Sequence, residues 1–133
     1  KWFSSRFDPQ RDPVLWVGDL NVAPTPADVY APEKLWPHVC FCQEAIDAWQ
    51  GVMNWGFVDL FRKHIDKPKE YTFWDYRLRG ALARGLGWRI DHILATPPLA
   101  DRSLDCWVDR DARGAENPSD HTFVVAAFTS GHA

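Results

Sequence analysis

Four apolar residues in a row, Val14-Leu15-Trp16-Val17, are entered through Pro13 and left through Gly18. A short unbroken run of this kind predicts a strand covered on both faces. Residues 43–55 change period. Ile46, Trp49 and Met53 recur on one face, with Ala45 and Val52 at its edges, which predicts a helix ending near Asn54 and Gly56. Phe57–Phe61 opens a new short strand or turn. Three later segments read as strands: aromatic Tyr71–Tyr76, mixed Trp88–Ala95, and nearly all-apolar Thr122–Phe128. Leu104, Cys106 and Val108 alternate as in a more exposed strand. Between these elements, residues 23–38 carry four prolines and read as a long irregular loop. Residues 77–87, with Gly80, Gly85 and Gly87, read as a flexible, arginine-bearing connection. Strands outnumber helices, so the expected class is α/β (α+β), a mostly antiparallel or mixed sheet with a helix packed on one face.

The chain has 133 residues, enough for one modest core. At 46% apolar content, with eight Trp and eight Phe, its composition is that of a folding chain. No stretch approaches the roughly 18 consecutive apolar residues of a membrane span, so no membrane partner is expected. The N-terminus lacks the order of a signal peptide. The three cysteines make no disulfide framework and no paired zinc motif. They are expected to be buried, inert thiols in a reducing, cytoplasmic setting. The opening residues 1–7 look like the tail of a helix, as in a fragment.

Net charge is −3, which at first argues against a nucleic-acid partner. Its distribution reverses that reading. Residues 62–90 hold eight Lys and Arg against three acids, a local +5 that leaves −8 for the rest. A basic stretch in an acidic chain is a candidate contact for a phosphate backbone.

Polar residues interrupt the apolar strands at three places: Asp19 and Asn21 in "VGDLNVAP", Arg89-Ile90-Asp91-His92 in "GWRIDHILAT", and Ser119-Asp120-His121 in "NPSDHTFVV". A carboxylate inside a buried strand needs a partner. His121 is the natural one for Asp91, because a carboxylate on one imidazole nitrogen fixes the tautomer and leaves the other nitrogen to act. Asp19 and Asp120 are then free to bind a divalent cation or handle protons.

With "NWGFVDLFR" (54–62) and "YTFWDYR" (71–77), these segments resemble, in order, the C-terminal half of the exonuclease III family of DNA-repair nucleases. That family lies within the endonuclease/exonuclease/phosphatase superfamily. The resemblance covers nearly the whole chain and implies half of a four-layer α/β sandwich, with residues 1–133 forming the C-terminal half of the domain. It implies an exodeoxyribonuclease III-like phosphodiesterase, acting as 3′–5′ exonuclease, abasic-site endonuclease or 3′-phosphatase on double-stranded DNA, especially at abasic sites and 3′ ends.

The same resemblance implies roles. Asp19, Asn21, Asp91 and His121 would be catalytic. Asp19, Asn21, Asp120 and His121 would form the metal site for Mg²⁺ or Mn²⁺. Phe73 and Trp88 would flank a pocket for a base-free sugar, and Arg77, Arg79 and Arg89 would meet DNA phosphates. Trp74 is read as core. Family members are about twice as long, and their N-terminal half supplies further metal ligands. The parent is therefore expected to be active and this piece alone nearly inactive, with an exposed sheet face that pairs with the missing half or with a second copy. The competing readings are a superfamily phosphatase for lipid or inositol phosphates and a non-catalytic structural or binding module.

Overall fold

A computed structural model describes residues 1–130. Seven strands and six helices follow one another as β1 (Leu15–Asp19), α1 (Pro32–Leu35), α2 (Gln43–Trp55), β2 (Val58–Asp59), α3 (Leu60–His64), β3 (Phe73–Trp74), α4 (Ala81–Arg84), β4 (Gly87–Trp88), β5 (Asp91–Ala95), α5 (Pro97–Ala100), β6 (Ser103–Asp109), α6 (Arg110–Arg113) and β7 (Phe123–Phe128). All strand pairs among the described residues are antiparallel. They form a three-stranded sheet in the order β1-β5-β2, and two ribbons, β3-β4 and β6-β7. The class is α/β.

The apolar period of residues 43–55 becomes α2, the one long helix among the described residues. It ends at Gly56, whose φ of 140° suits glycine, and a Cβ there would sit 2.5 Å from Pro9 Cβ. The helix covers one face of the β1-β5 pair. Trp16, Leu94, Ala48, Trp49 and Val52 line the junction, and the Trp49 ring lies 4.5 Å from the His92 ring. The opposite face of β5 packs on α3 and the β6-β7 ribbon through Leu60, Phe61, Ala95, Ala100 and Cys106, all buried. A second cluster, Ala23, Val29, Phe41, Trp88 and Ile90, ties the proline-rich segment to β4.

Several expectations change. The apolar run at 14–17 is an edge strand, not one covered on both faces: Leu15 and Val17 are 46% and 58% exposed. Phe123, 67% exposed, lines the same surface depression as Val17. The "loop" at 23–38 holds a 3₁₀ turn at Pro26–Asp28 and the single-turn α1, because Pro26 and Pro32 stand at first-turn positions where the missing N–H costs nothing. Trp88–Ala95 is two strands, divided at Arg89-Ile90 where the chain passes between sheets. The 77–87 connection contains α4, flanked by Gly80 and Gly85 in the left-handed region. Residues 1–7 form turns rather than a helix end, with i→i+4 hydrogen bonds at Ser5 and Phe7.

Candidate active site

Register brings the polar interruptions together. Asp19 ends β1 directly opposite Asp91, the first residue of β5. A backbone bridge joins Phe73 of β3 to His121. Two further bonds fix that junction: Trp74 N–H donates to the Asp120 carbonyl, and Thr122 N–H to the Thr72 carbonyl, at 2.9 and 2.8 Å. The Thr72 hydroxyl accepts from both Ile90 and Asp91 N–H at 3.1 Å. β3 is only two residues long, yet it holds the start of β5 and the "SDH" turn against each other.

The result is a compact group. His121 Nδ1 lies 2.8 Å from Asp91 Oδ2, and its Nε2 lies 3.8 Å from Asp19 Oδ2. Donor atoms of Asp19, Asp91 and His121 all fall within 4.8 Å of one another. Burial pushes the Asp91 carboxyl above its ordinary range, against the hydrogen bonds from Thr72 and His121. Asp19 accepts the Asn21 N–H at 2.9 Å, closing a tight turn in which Asn21 takes a φ of 53°. Asparagine tolerates that left-handed conformation better than most residues. Asp120 remains outside the group; its backbone, not its carboxylate, is what the surrounding structure holds.

The group opens into a cleft of about 310 Å³. Phe73, Trp88 and Ile90 line it on one side, and Tyr30, Leu35, His38 and Cys40 on another. The Phe73 ring packs at a tilt on His121, centroids 4.9 Å apart, and the His38 ring likewise on Trp88 at 4.7 Å. Asp75 and Arg77 stand at the rim. The Arg77 guanidinium grips both Asp75 oxygens at 2.8–3.0 Å. Those hydrogen bonds hold the Asp75 carboxyl below its usual range. Arg79 is exposed on the same loop. The whole Tyr30–Cys40 wall escaped the sequence reading, because an irregular proline-rich segment carries no periodic signal from which a facing could be inferred.

Two expectations are corrected here. Arg89 cannot meet a phosphate: its side chain is 1% exposed, bound to Asp28 at 2.7 Å and to Asp59 at 2.8 Å. The burial that would discharge it is outweighed by those two carboxylates, which hold it firmly protonated. Burial likewise opposes the Asp28 charge, but Arg89 and Arg62, the latter at 2.5 Å, hold Asp28 ionised. The cysteines are free as expected, but only Cys106 is buried. Burial pushes its thiol up to about 12. Cys40 is half-buried in the cleft wall, its thiol raised by burial and by Asp19.

As donors for a divalent ion, two carboxylates and one imidazole are a partial set. Mg²⁺ takes about six oxygens in tight geometry, and Asp91 is already engaged by the imidazole.

A profile of the endonuclease/exonuclease/phosphatase family matches residues 4–121. The chain belongs to that family. Among family relatives, it is 34% identical to an exodeoxyribonuclease III of Haemophilus influenzae, over 88% of this chain and 46% of the relative. Its fold superposes on an AP endonuclease of Archaeoglobus fulgidus with a TM-score of 0.88 at 52% identity, over 93% of this chain and 48% of that one. A Neisseria 3′ phosphatase bound to a product DNA hairpin gives 0.86 at 34%, over 95% and 47%. The chain thus spans about half the length of the relatives it matches. No helix among the described residues is long and apolar enough to cross a membrane.

Proposed function

We propose that this chain is the part of a DNA-repair phosphodiesterase that carries its acid–base groups. One observation carries the reading: Asp19, Asp91 and His121 converge, and Asp19 and His121 line an aromatic-walled cleft with the Asp75–Arg77 pair on its lip. Asp91 accepts the Nδ1 proton of His121, so Nε2 is turned toward Asp19 and the place a phosphate would occupy. His121 contacts the scissile phosphate, and Asp19 handles a proton, either activating the attacking water or protonating the leaving oxygen. Asn21, uncharged and on the same turn, donates to a phosphate oxygen without repelling it.

Phe73 and Trp88 flank the space for a base-free sugar, and Arg77 and Arg79 meet backbone phosphates. The substrate proposed is double-stranded DNA, at abasic sites and 3′ ends. Asp19 would hold Mg²⁺ or Mn²⁺ together with water and with oxygens from outside this chain. When bound, that ion supplies charge neutralisation at the phosphate. The partial donor set also supports the reading that the 133-residue piece alone turns over poorly. The aromatic walls and the exposed arginines favour DNA over a small lipid or inositol phosphate.

The test is cleavage of an abasic-site duplex with Mg²⁺ by the intact protein, beside Asp19→Asn and His121→Ala. Each variant is expected to lose roughly 10²-fold or more. Wild-type turnover of a phosphoinositide but not of the duplex would overturn the DNA reading.

A further inference from the structure

Behind the cleft, a line of buried polar groups runs from an acid pair to the turn that bears Asp19 and Asn21. Asp28 and Asp59 clasp Arg89, whose Nη1 lies 3.2 Å from His92 Nδ1. An arginine can only donate, so His92 Nδ1 accepts and its proton sits on Nε2. Nε2 lies 2.7 Å from the Val22 carbonyl and donates to it. Val22 directly follows Asn21, the residue held at a φ of 53°. Side chains of Arg89 and His92 are each 1% exposed, so water does not compete for these bonds.

We infer that His92 is a positioning residue: through its bond to the Val22 carbonyl it locks the left-handed Asn21 turn, and with it the aim of Asp19 and Asn21 at the phosphate. The inference rests on the phosphodiesterase reading for its effect on rate, but not for its geometry. A left-handed residue other than glycine carries a cost, smaller for asparagine than for most, which its surroundings must offset. The Asp19–Asn21 bond fixes the turn from one side and is solvent-exposed. His92 fixes it from the buried side, and Arg89 fixes the ring. Three residues on from a buried arginine and next to Asp91, His92 acts without touching substrate.

The experiment compares His92→Gln, His92→Phe and Trp49→Leu in the intact protein. Glutamine can accept from Arg89 and donate to Val22; phenylalanine fills the space and does neither. Trp49→Leu removes the ring packed on His92 but keeps both hydrogen bonds. On an abasic duplex, His92→Phe is expected to lower kcat roughly 10-fold with KM within about 2-fold, because a misaimed group costs rate rather than binding. His92→Gln is expected to restore most of the rate, and Trp49→Leu to keep kcat despite lower stability. Equal kcat losses for His92→Phe and Trp49→Leu, or a Phe variant with full activity, would overturn the inference.

A second readout is independent of activity. In the wild type, NMR should show a slowly exchanging His92 Nε2–H and a protected Asn21 amide. The Phe variant should lose protection at Asn21 while keeping it in β5, and a rapidly exchanging Nε2–H in the wild type would contradict the inference even if no variant folds. Absent wild-type cleavage would sink the nuclease reading and leave the NMR outcome to decide the positioning role.

Discussion

His121 and Asp91 meet at 2.8 Å, although 29 residues separate them in sequence and only Asp91 lies in a strand, His121 being held by a single bridge to Phe73. The carboxylate is the more buried partner and its proton affinity is raised by that burial. Its hydrogen bond fixes which imidazole nitrogen faces Asp19 and the cleft. Asp91→Asn keeps the shape but offers the imidazole an amide in place of an acceptor, favouring the wrong tautomer. Activity on an abasic duplex is expected to fall roughly 10²-fold or more, with DNA affinity little changed. Gel-shift binding beside single-turnover cleavage separates the two quantities.

His92 makes stability depend on pH. Burial, aided by Arg89, lowers its pKa from 6.5 to about 4. In the unfolded chain it binds a proton below about pH 6.5; in the fold it does so only below about 4. The unfolded state therefore holds more protons across that window, and stability rises with pH through it. The contribution is fully present above 6.5 and is lost as pH falls toward 4, about 3 kcal/mol in all. Urea unfolding of the wild type and His92→Gln at several pH values checks it. The glutamine variant lacks this dependence, so the stability difference between them should widen in favour of the wild type from pH 4 to 6.5. A constant difference would refute it.

The buried ion cluster is expected to be costly to break. Asp28 is wholly buried and serves both Arg62 and Arg89. Asp28→Ala leaves Arg89 buried with one acid instead of two, and removing one partner of a buried pair typically costs ~3–5 kcal/mol. The same carboxylate also caps the 3₁₀ turn, accepting from Thr25 N–H and Oγ1. A drop of at least ~3 kcal/mol in urea unfolding is the expected result.

What could be read in the chain follows from periodicity and residue order. The α2 face at Ile46, Trp49 and Met53 announces itself by spacing, and Asp91 with His121 by the cost of an unpartnered carboxylate in an apolar strand. Arg89 misled for a physical reason. In sequence it is one more cation in a basic stretch; in space its neighbours are Asp28 and Asp59, 61 and 30 residues away. Local charge cannot report such partners. The exposed Leu15 and Val17 misled because an apolar run looks alike whether this chain or another surface covers it. His38 and Cys40 left no trace, since a cleft wall built from irregular backbone has no period.

Arg77 and Asp75 set the last expectation. Arg77 lies free on the lip of the cleft except for its grip on Asp75, whose carboxylate also faces the place a phosphate would lie. To meet DNA, the guanidinium must exchange one anion for another, and the carboxylate left behind repels the backbone. Asp75→Asn removes both obstacles, so it should tighten binding to a duplex several-fold at low salt. Arg79 has no such restraint. Its loss should weaken binding about equally across sequences and lower the slope of log affinity against log salt by about one. Salt titrations of wild type, Asp75→Asn and Arg79→Ala on a fluorescent duplex read both effects. If Asp75→Asn weakens binding instead, the pair is part of the contact surface as it stands, with Arg77 presented to the phosphate by Asp75 rather than withheld from it.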